Sequence, residues 1–236
     1  MSGTQTWSGG YQGTNMKGSF DGQGHTLDGL YIGGSGGYSG VFHTNTGKVR
    51  NVAVTNMTIN DSGGASALGF VALNEKRVRN ISVSDTVLNV NGYVAFGDGV
   101  WTSSGAVVGK NEQKVFDIRA DGIDVRVHNK LDNSGIVGGA VGFNAGDTSS
   151  VIANATFDIP QGQSTSGQVG PTAGRQRGTY TDAYYNADAT NFNGPGTGLT
   201  ESQMTGSNAA SNMSDLDFEK VWTTVTGDYP TLRFIK

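Results

Sequence analysis

The stretch Leu68-Gly69-Phe70-Val71-Ala72-Leu73-Asn74-Glu75-Lys76-Arg77-Val78-Arg79-Asn80-Ile81-Ser82-Val83-Ser84 decides the fold. A small-residue opener leads into a short apolar run, and a polar turn at Asn74-Glu75-Lys76 breaks it. A second apolar strand follows and runs on through Val87-Leu88-Asn89-Val90. This unit occurs five times. Its copies open at Ser39-Gly40-Val41-Phe42, Leu68-Gly69-Phe70-Val71, Ser104-Gly105-Ala106-Val107, Gly138-Gly139-Ala140-Val141 and Ser166-Gly167-Gln168-Val169. The strand after the turn carries Val49, Val78, Val115, Val151 and Tyr180 at the matching position, at intervals of 29, 37, 36 and 29 residues. A period too short for a domain marks a chain that stacks supersecondary units along one axis. Such units bury their apolar face only against their neighbours.

Within residues 67–90, Val78, Ile81/Val83 and Leu88/Val90 suggest three strands per pass with small residues packed inward, which suits a three-sided parallel coil. The chain has only 4 prolines, and none lies in the repeated strands between 39 and 159. Every strand there can donate its backbone N–H groups to the next pass. Asn51, Asn80, Asp117, Ala153 and Asp182 fall two residues beyond the matching position. Side chains stacked at such a corner bond to one another and to neighbouring backbone, so these are read as structural.

The expected organisation is an N-terminal cap over 1–16, repeats over 17–192, and a loop with a C-terminal cap over 193–236. Phe218, Val221, Trp222, Tyr229, Leu232, Phe234 and Ile235 supply the apolar bulk to seal the last rung. An open end is an unpaired edge that invites association, so self-assembly into something larger is a companion expectation.

Composition narrows the function. The 38 glycines among 236 residues sit at fixed phase between Val/Ile/Phe strands, which argues for turns and against disorder. A net charge of −4 with 15% charged residues excludes a strongly basic nucleic-acid binder. With no cysteine there is no disulfide or thiolate–metal chemistry. No apolar run reaches membrane-spanning length, so membrane insertion is not expected. Residues 1–16 lack the apolar core of a secretory leader, which suits a mature or excised form, or a virion component that needs no cleavable signal.

At this point a resemblance becomes specific. Phe20-Asp21-Gly22-Gln23-Gly24-His25-Thr26-Leu27-Asp28-Gly29-Leu30, the units Ser39–Val54 and Leu68–Val83, and the terminal Asp217-Phe218-Glu219-Lys220-Val221-Trp222 with Tyr229-Pro230-Thr231-Leu232 resemble GLUG-repeat proteins. The resemblance covers residues 17–235. It implies an all-β fold, a right-handed parallel β-solenoid of extracellular, cell-surface or adhesin type. With three strands per coil, the repeats make about five to six coils. Lys110-Asn111-Glu112 departs from the glycine-rich turn of that pattern, and Gln168-Val169-Gly170-Pro171 is degenerate. The family shares no catalytic residues, so the resemblance implies no catalytic residue or cofactor here.

Two surface constellations are candidates. Lys48, Arg77 and Lys114 are equivalent by register, as are Arg50 and Arg79, and all flank inward valines and so point outward. Stacked cations repel, and the expected offsets are Glu75 and Glu112 in the adjacent turn or an anionic ligand. The second candidate is an edge where insertions collect, in Asn91–Ser103 and His128–Val137. The first holds Tyr93, Phe96, Asp98 and Trp101, with Tyr38 in the equivalent connection one unit earlier. Exposed aromatics beside a carboxylate suit sugar stacking or a protein contact. The bland readings are a solvated face with internal ion pairs and a cover for the side of the stack.

Enzymatic readings have less to build on. A parallel β-helix lyase or hydrolase needs clustered carboxylates, or calcium ligands with a base, on one face. Asp121 and Asp124 are read as facing opposite sides of a strand, and His25, His43 and His128 lack metal-ligand spacing. An ice-binding array would need outward Thr in register, where Thr55, Ser84 and Asp121 stand instead. The expectation is therefore a non-catalytic extracellular, cell-surface or virion module for attachment or support. Its partner would be a surface glycan or a protein, and it would carry no cofactor, bound metal or nucleic acid. A degenerate polysaccharide-active enzyme is the alternative.

Overall fold

The computed structural model describes residues 14–34, 37–61, 65–91, 102–128, 131, 135–160 and 168–235. Apart from two short helices, Glu201–Met204 and Asn208–Asn212, its regular structure is β-strand. Three sheets are wholly parallel, an arrangement compatible with a parallel β-helix. The opening sheet orders Gly37–Ser39, Ala65–Leu68, Thr102–Gly105, Gly135–Gly138 and Val169–Gly170 side by side. The middle sheet runs from Thr14–Met16 through Phe42–Asn45, Val71–Asn74, Val108–Asn111 and Val141–Asn144 to Ala173–Gln176. The long sheet aligns Ser19–Asp21, Lys48–Thr55, Arg77–Val90, Lys114–Val127, Asp147–Asp158, Thr179–Asn186 and Thr197–Leu199. Between Gly37 and Asn186 each pass of the chain thus lays strand in each of the three sheets beside the strand of the pass before.

Register corrects the repeat in its later copies. Val49, Val78, Val115 and Tyr180 are in line as expected, but the fourth member is Thr148. Val151 pairs with Ile118 and Ala183 instead. Thr148 therefore lies 33 residues after Val115, and Tyr180 32 after Thr148. A hydroxyl is tolerated at this inward position because Thr148 Oγ1 donates to the buried Asn144 Oδ1 at 2.9 Å. The openers shift likewise: Ser39, Leu68, Ser104, Val137 and Val169 are in line. Two residues separate this position from the middle sheet in the first two copies, and three from Ser104 onward. The glycine after the opener has no room for a side chain. A Cβ on Gly69 would sit 2.7 Å from Gly105 O, and one on Gly105 2.5 Å from Gly142 N.

Two polar ladders hold the corners. In the first, Asn51, Asn80, Asp117, Ser150 and Asp182 all adopt left-handed backbone, at φ 56, 52, 59, 58 and 52°. Ser150, not Ala153, is thus the fourth member. Left-handed geometry resets the strand's alternation, so that Val78, Ile81 and Val83 are all buried while Arg77 and Arg79 are exposed. Asn80 Nδ2 donates to Asn51 Oδ1 at 2.9 Å, and Asn51 Nδ2 to Asp21 Oδ1 at 3.0 Å.

The second ladder lies where the middle sheet turns into the long one, at Asn45, Asn74, Asn111 and Asn144, all fully buried. Each Nδ2 donates to the Oδ1 of the next, at 2.8, 2.8 and 2.7 Å. Each also donates to a backbone carbonyl across the corner, those of Arg77, Lys114, Asp147 and Thr179 in turn. In the first three passes the Oδ1 also accepts the N–H two residues on, from Gly47, Lys76 and Gln113. Every ladder asparagine stands four residues before the inward residue of its strand.

The C-terminal segment both extends the long sheet and crosses its outer face. Thr197–Leu199 pairs with Thr179–Asn186. Beyond it, the helices and the antiparallel hairpin of Trp222–Val225 and Asp228–Leu232 form a second core. Met204, Met213, Leu216, Trp222, Tyr229 and Leu232 there enclose the outward-facing Ile152 and Tyr184. Burial and the neighbouring Asp215 push the Tyr184 phenol up to about 12, and its hydroxyl donates to that carboxylate at 2.9 Å. Arg119 Nε donates to Pro230 O at 3.1 Å, Trp222 Nε1 to Ser150 Oγ at 3.0 Å, and Asn186 Nδ2 to Tyr229 Oη at 2.7 Å.

Two substitutions at neighbouring positions test the inside–outside phase. Val78 is fully buried between Val49 and Val115, so Val78→Asp places an unpaired carboxylate among aliphatic groups and is expected to unfold the protein. Arg77→Ser, one residue away and exposed, is expected to change stability by less than about 1 kcal/mol in denaturant titration. The ladder predicts a third value. Asn74→Ala removes a donor and an acceptor from two adjoining corners and is expected to cost about 2–3 kcal/mol by the same measurement.

Candidate binding face

The register that buries the valines also sets two outward columns on the long sheet. One reads Ser19, Lys48, Arg77, Lys114, Asp147, Thr179, and the other Asp21, Arg50, Arg79, Phe116, Ser149, Thr181. Parallel pairing spaces neighbours in a column by about 4.8 Å. All five cations of the expected stripe, Lys48, Arg50, Arg77, Arg79 and Lys114, are therefore brought together, and all are exposed.

The two columns differ in how their charge is met. Arg50 pairs with Asp21 at 3.1 Å and Arg79 with Asp117 at 3.7 Å. The Asp21 carboxyl is held below its usual range by the Gln23 backbone N–H, then by the Asn51 amide and Arg50. The anticipated partners act otherwise: Glu112 takes Lys110 at 2.7 Å, and Glu75 makes no ion pair among the described residues. Lys48, Arg77 and Lys114 likewise have no carboxylate within ion-pair distance there. Phe116, which sequence reasoning did not single out, lies beneath the cluster. The guanidinium carbons of Arg79 and Arg77 stand 5.5 and 5.9 Å from its ring centroid. Its signal in the sequence is that it interrupts the Arg50–Arg79 column. Arg77, Lys114, Val115, Phe116, Asp147 and Ser149 line a shallow depression of about 300 Å³.

The second candidate edge is only partly described. Tyr93, Phe96, Asp98 and Trp101 lie outside the described residues. Tyr38 is half-buried on Gly37–Ser39, in register with Ala67, and packs edge-on against His43 at 5.3 Å. His43 Nδ1 lies 3.1 Å from Asn15 Oδ1 on the middle sheet, and His128 Nε2 3.1 Å from Asn89 Oδ1 at the long sheet, so these histidines are not brought together. Among the described residues no three His, Asp or Glu side chains converge as metal ligands would.

Asp121 and Asp124 do not face opposite sides. Gly122, at φ 62°, resets the strand between them, and both point outward while Ala120, Ile123 and Val125 are buried. Asp121 binds Arg119 at 2.6 Å and accepts from Asn154 at 3.0 Å, and Asp124 binds Arg126 at 2.5 Å.

Family models, curated proteins and solved structures were compared with the chain, and none matches it.

Asp117 sits where the face meets the left-handed ladder, and it interrupts that ladder. Asn80 Oδ1 is buried with no donor among the described residues, and an ionised Asp117 in the next pass cannot supply one. Burial raises the Asp117 carboxyl above its usual value of 3.8. The Ser150 hydroxyl and Arg79 oppose that shift, and Asp217 adds to it. A carboxyl raised on folding favours the folded state when protonated, and that contribution is lost as pH rises through the folded value. Asp117→Asn is therefore expected to raise the melting temperature at neutral pH. The gain should shrink as pH falls from the raised folded value toward about 4 and be absent below it, where the aspartate is protonated in both states.

Proposed function

We propose that the chain is a capped, right-handed parallel β-solenoid that acts as a non-catalytic attachment or support module at an extracellular, cell or virion surface. It has three strands per coil and about five to six coils. The all-parallel pairing of successive passes and the resemblance to GLUG-repeat proteins support this architecture. One observation carries the function: Lys48, Arg77 and Lys114 stand in register without carboxylate partners among the described residues, beside a column whose arginines are neutralised. Like charges stacked in this way oppose folding, and an anionic partner would relieve them. The carboxylates a lyase or hydrolase would recruit, Asp121 and Asp124, are each tied to an arginine, which favours binding over catalysis.

The test is attachment of labelled protein to cells and to immobilised acidic and neutral surfaces. The triple variant Lys48→Ser/Arg77→Ser/Lys114→Ser is expected to lose at least about tenfold in affinity at physiological salt, since it removes three phosphate- or carboxylate-seeking charges. Its melting temperature should stay within a few degrees of the parent. Equal attachment by the two proteins would remove the proposal's main support.

A further inference from the structure

We infer that the depression between Arg77, Lys114 and Phe116 is a subsite for a carboxylated sugar, and that an acidic polysaccharide lies from it along the column toward Lys48. This rests on the attachment reading above and names its ligand.

The depression is lined from three adjacent strands, Arg77–Val90, Lys114–Val127 and Asp147–Asp158. Arg77 and Lys114 pair directly, about one strand spacing apart, and neither has a carboxylate at ion-pair distance among the described residues. Arg79 beside them is already committed to Asp117 at 3.7 Å. The two free cations are therefore the groups an anion would meet. Arg77 also rests on the half-buried Phe116 ring, which limits the freedom a guanidinium loses when it closes on a ligand. Its planar fork matches a carboxylate with two parallel hydrogen bonds.

The same depression excludes the densely charged anions. Asp147 is in register with Lys114, and Ser149 with Phe116, and both line the site. A carboxylate at that point repels sulfate or phosphate clusters, whereas it accepts hydrogen bonds from sugar hydroxyls, as the Ser149 hydroxyl can too. The Phe116 ring adds an apolar surface of the kind a sugar ring covers. The ligand must then carry one anionic group, several hydroxyls and a flat apolar flank. A uronic acid has all three. A volume of about 300 Å³ stands at the small end of ligand sites, enough for one or two sugars. Lys48, one strand beyond Arg77, meets the carboxylate of the following residue.

Calorimetric titration with a panel of oligouronates (galacturonate, glucuronate and mannuronate–guluronate) tests this, alongside their carboxyl-reduced forms, dextran sulfate and inorganic polyphosphate. At least one oligouronate should bind and its reduced form should not. Arg77→Lys, which keeps the charge and loses the fork, should weaken that binding about tenfold. Phe116→Leu should weaken it with little change in melting temperature. Asp147→Asn should weaken oligouronate binding while strengthening polyphosphate binding. If dextran sulfate and polyphosphate bind as tightly as any uronate, and Asp147→Asn strengthens all of them, the face is a general counter-ion surface and the inference fails. If no saccharide binds but the triple variant loses attachment, the partner is a protein. The sugar inference then fails and the attachment reading stands. If attachment ignores the face altogether, the attachment reading itself fails.

Discussion

The structure depends on a buried amide that has to be satisfied on every side. Asn45, Asn74, Asn111 and Asn144 each sit at a corner where the backbone leaves one sheet for another, and a corner leaves N–H and C=O groups without strand partners. An asparagine supplies both missing functions at once. Its amide donates to a carbonyl across the corner and to the next asparagine, and in the first three passes its oxygen takes the stranded N–H of its own turn. Neither an aspartate nor an aliphatic residue could do this. Because the bond to the next asparagine forms only when two passes align, the ladder fixes register as well as closing the turn. Everything outside it inherits that alignment.

The outward columns are the clearest inheritance. Lys48, Arg77 and Lys114 are neighbours because Val49, Val78 and Val115 are, and the valines are neighbours because the asparagines four residues earlier are bonded. A surface column made this way needs no loop to position it, and its spacing is that of the strands themselves. Variation enters one residue at a time. Where the column passes from Lys114 to Asp147, and from Arg79 to Phe116, the face changes from a uniform cationic strip to a bounded depression.

Much of this was legible in the sequence, and the exceptions have physical reasons. Val49, Val78 and Val115 are readable as core because β-branched residues that recur at a fixed phase pack best in a shared interior. The fourth copy misleads because Thr148 is polar and Val151, three residues on, looks like the expected valine. The constant four-residue interval from Asn45, Asn74, Asn111 and Asn144 holds the true phase, and it outlasts the hydrophobic pattern. The openers slip because a third turn residue enters after Ser104, a change that backbone hydrogen bonds absorb and composition does not record. The cationic columns follow directly once register is known. Phe116 does not, since an aromatic residue in a strand reads as core. No local pattern indicates which outward residues, such as Ile152 and Tyr184, the tail will cover.

That tail has a consequence for how the molecule comes apart. A chain whose passes touch only their neighbours can lose its end passes one by one, because each release breaks a single interface. Trp222 is tied to Ser150, Tyr229 to Asn186 and the Pro230 carbonyl to Arg119, so one segment grips three successive strands. Peeling the final pass must first strip Ile152 and Tyr184 of their shared cover. The C-terminal half is thereby converted from a row of separable units into a single cooperative block.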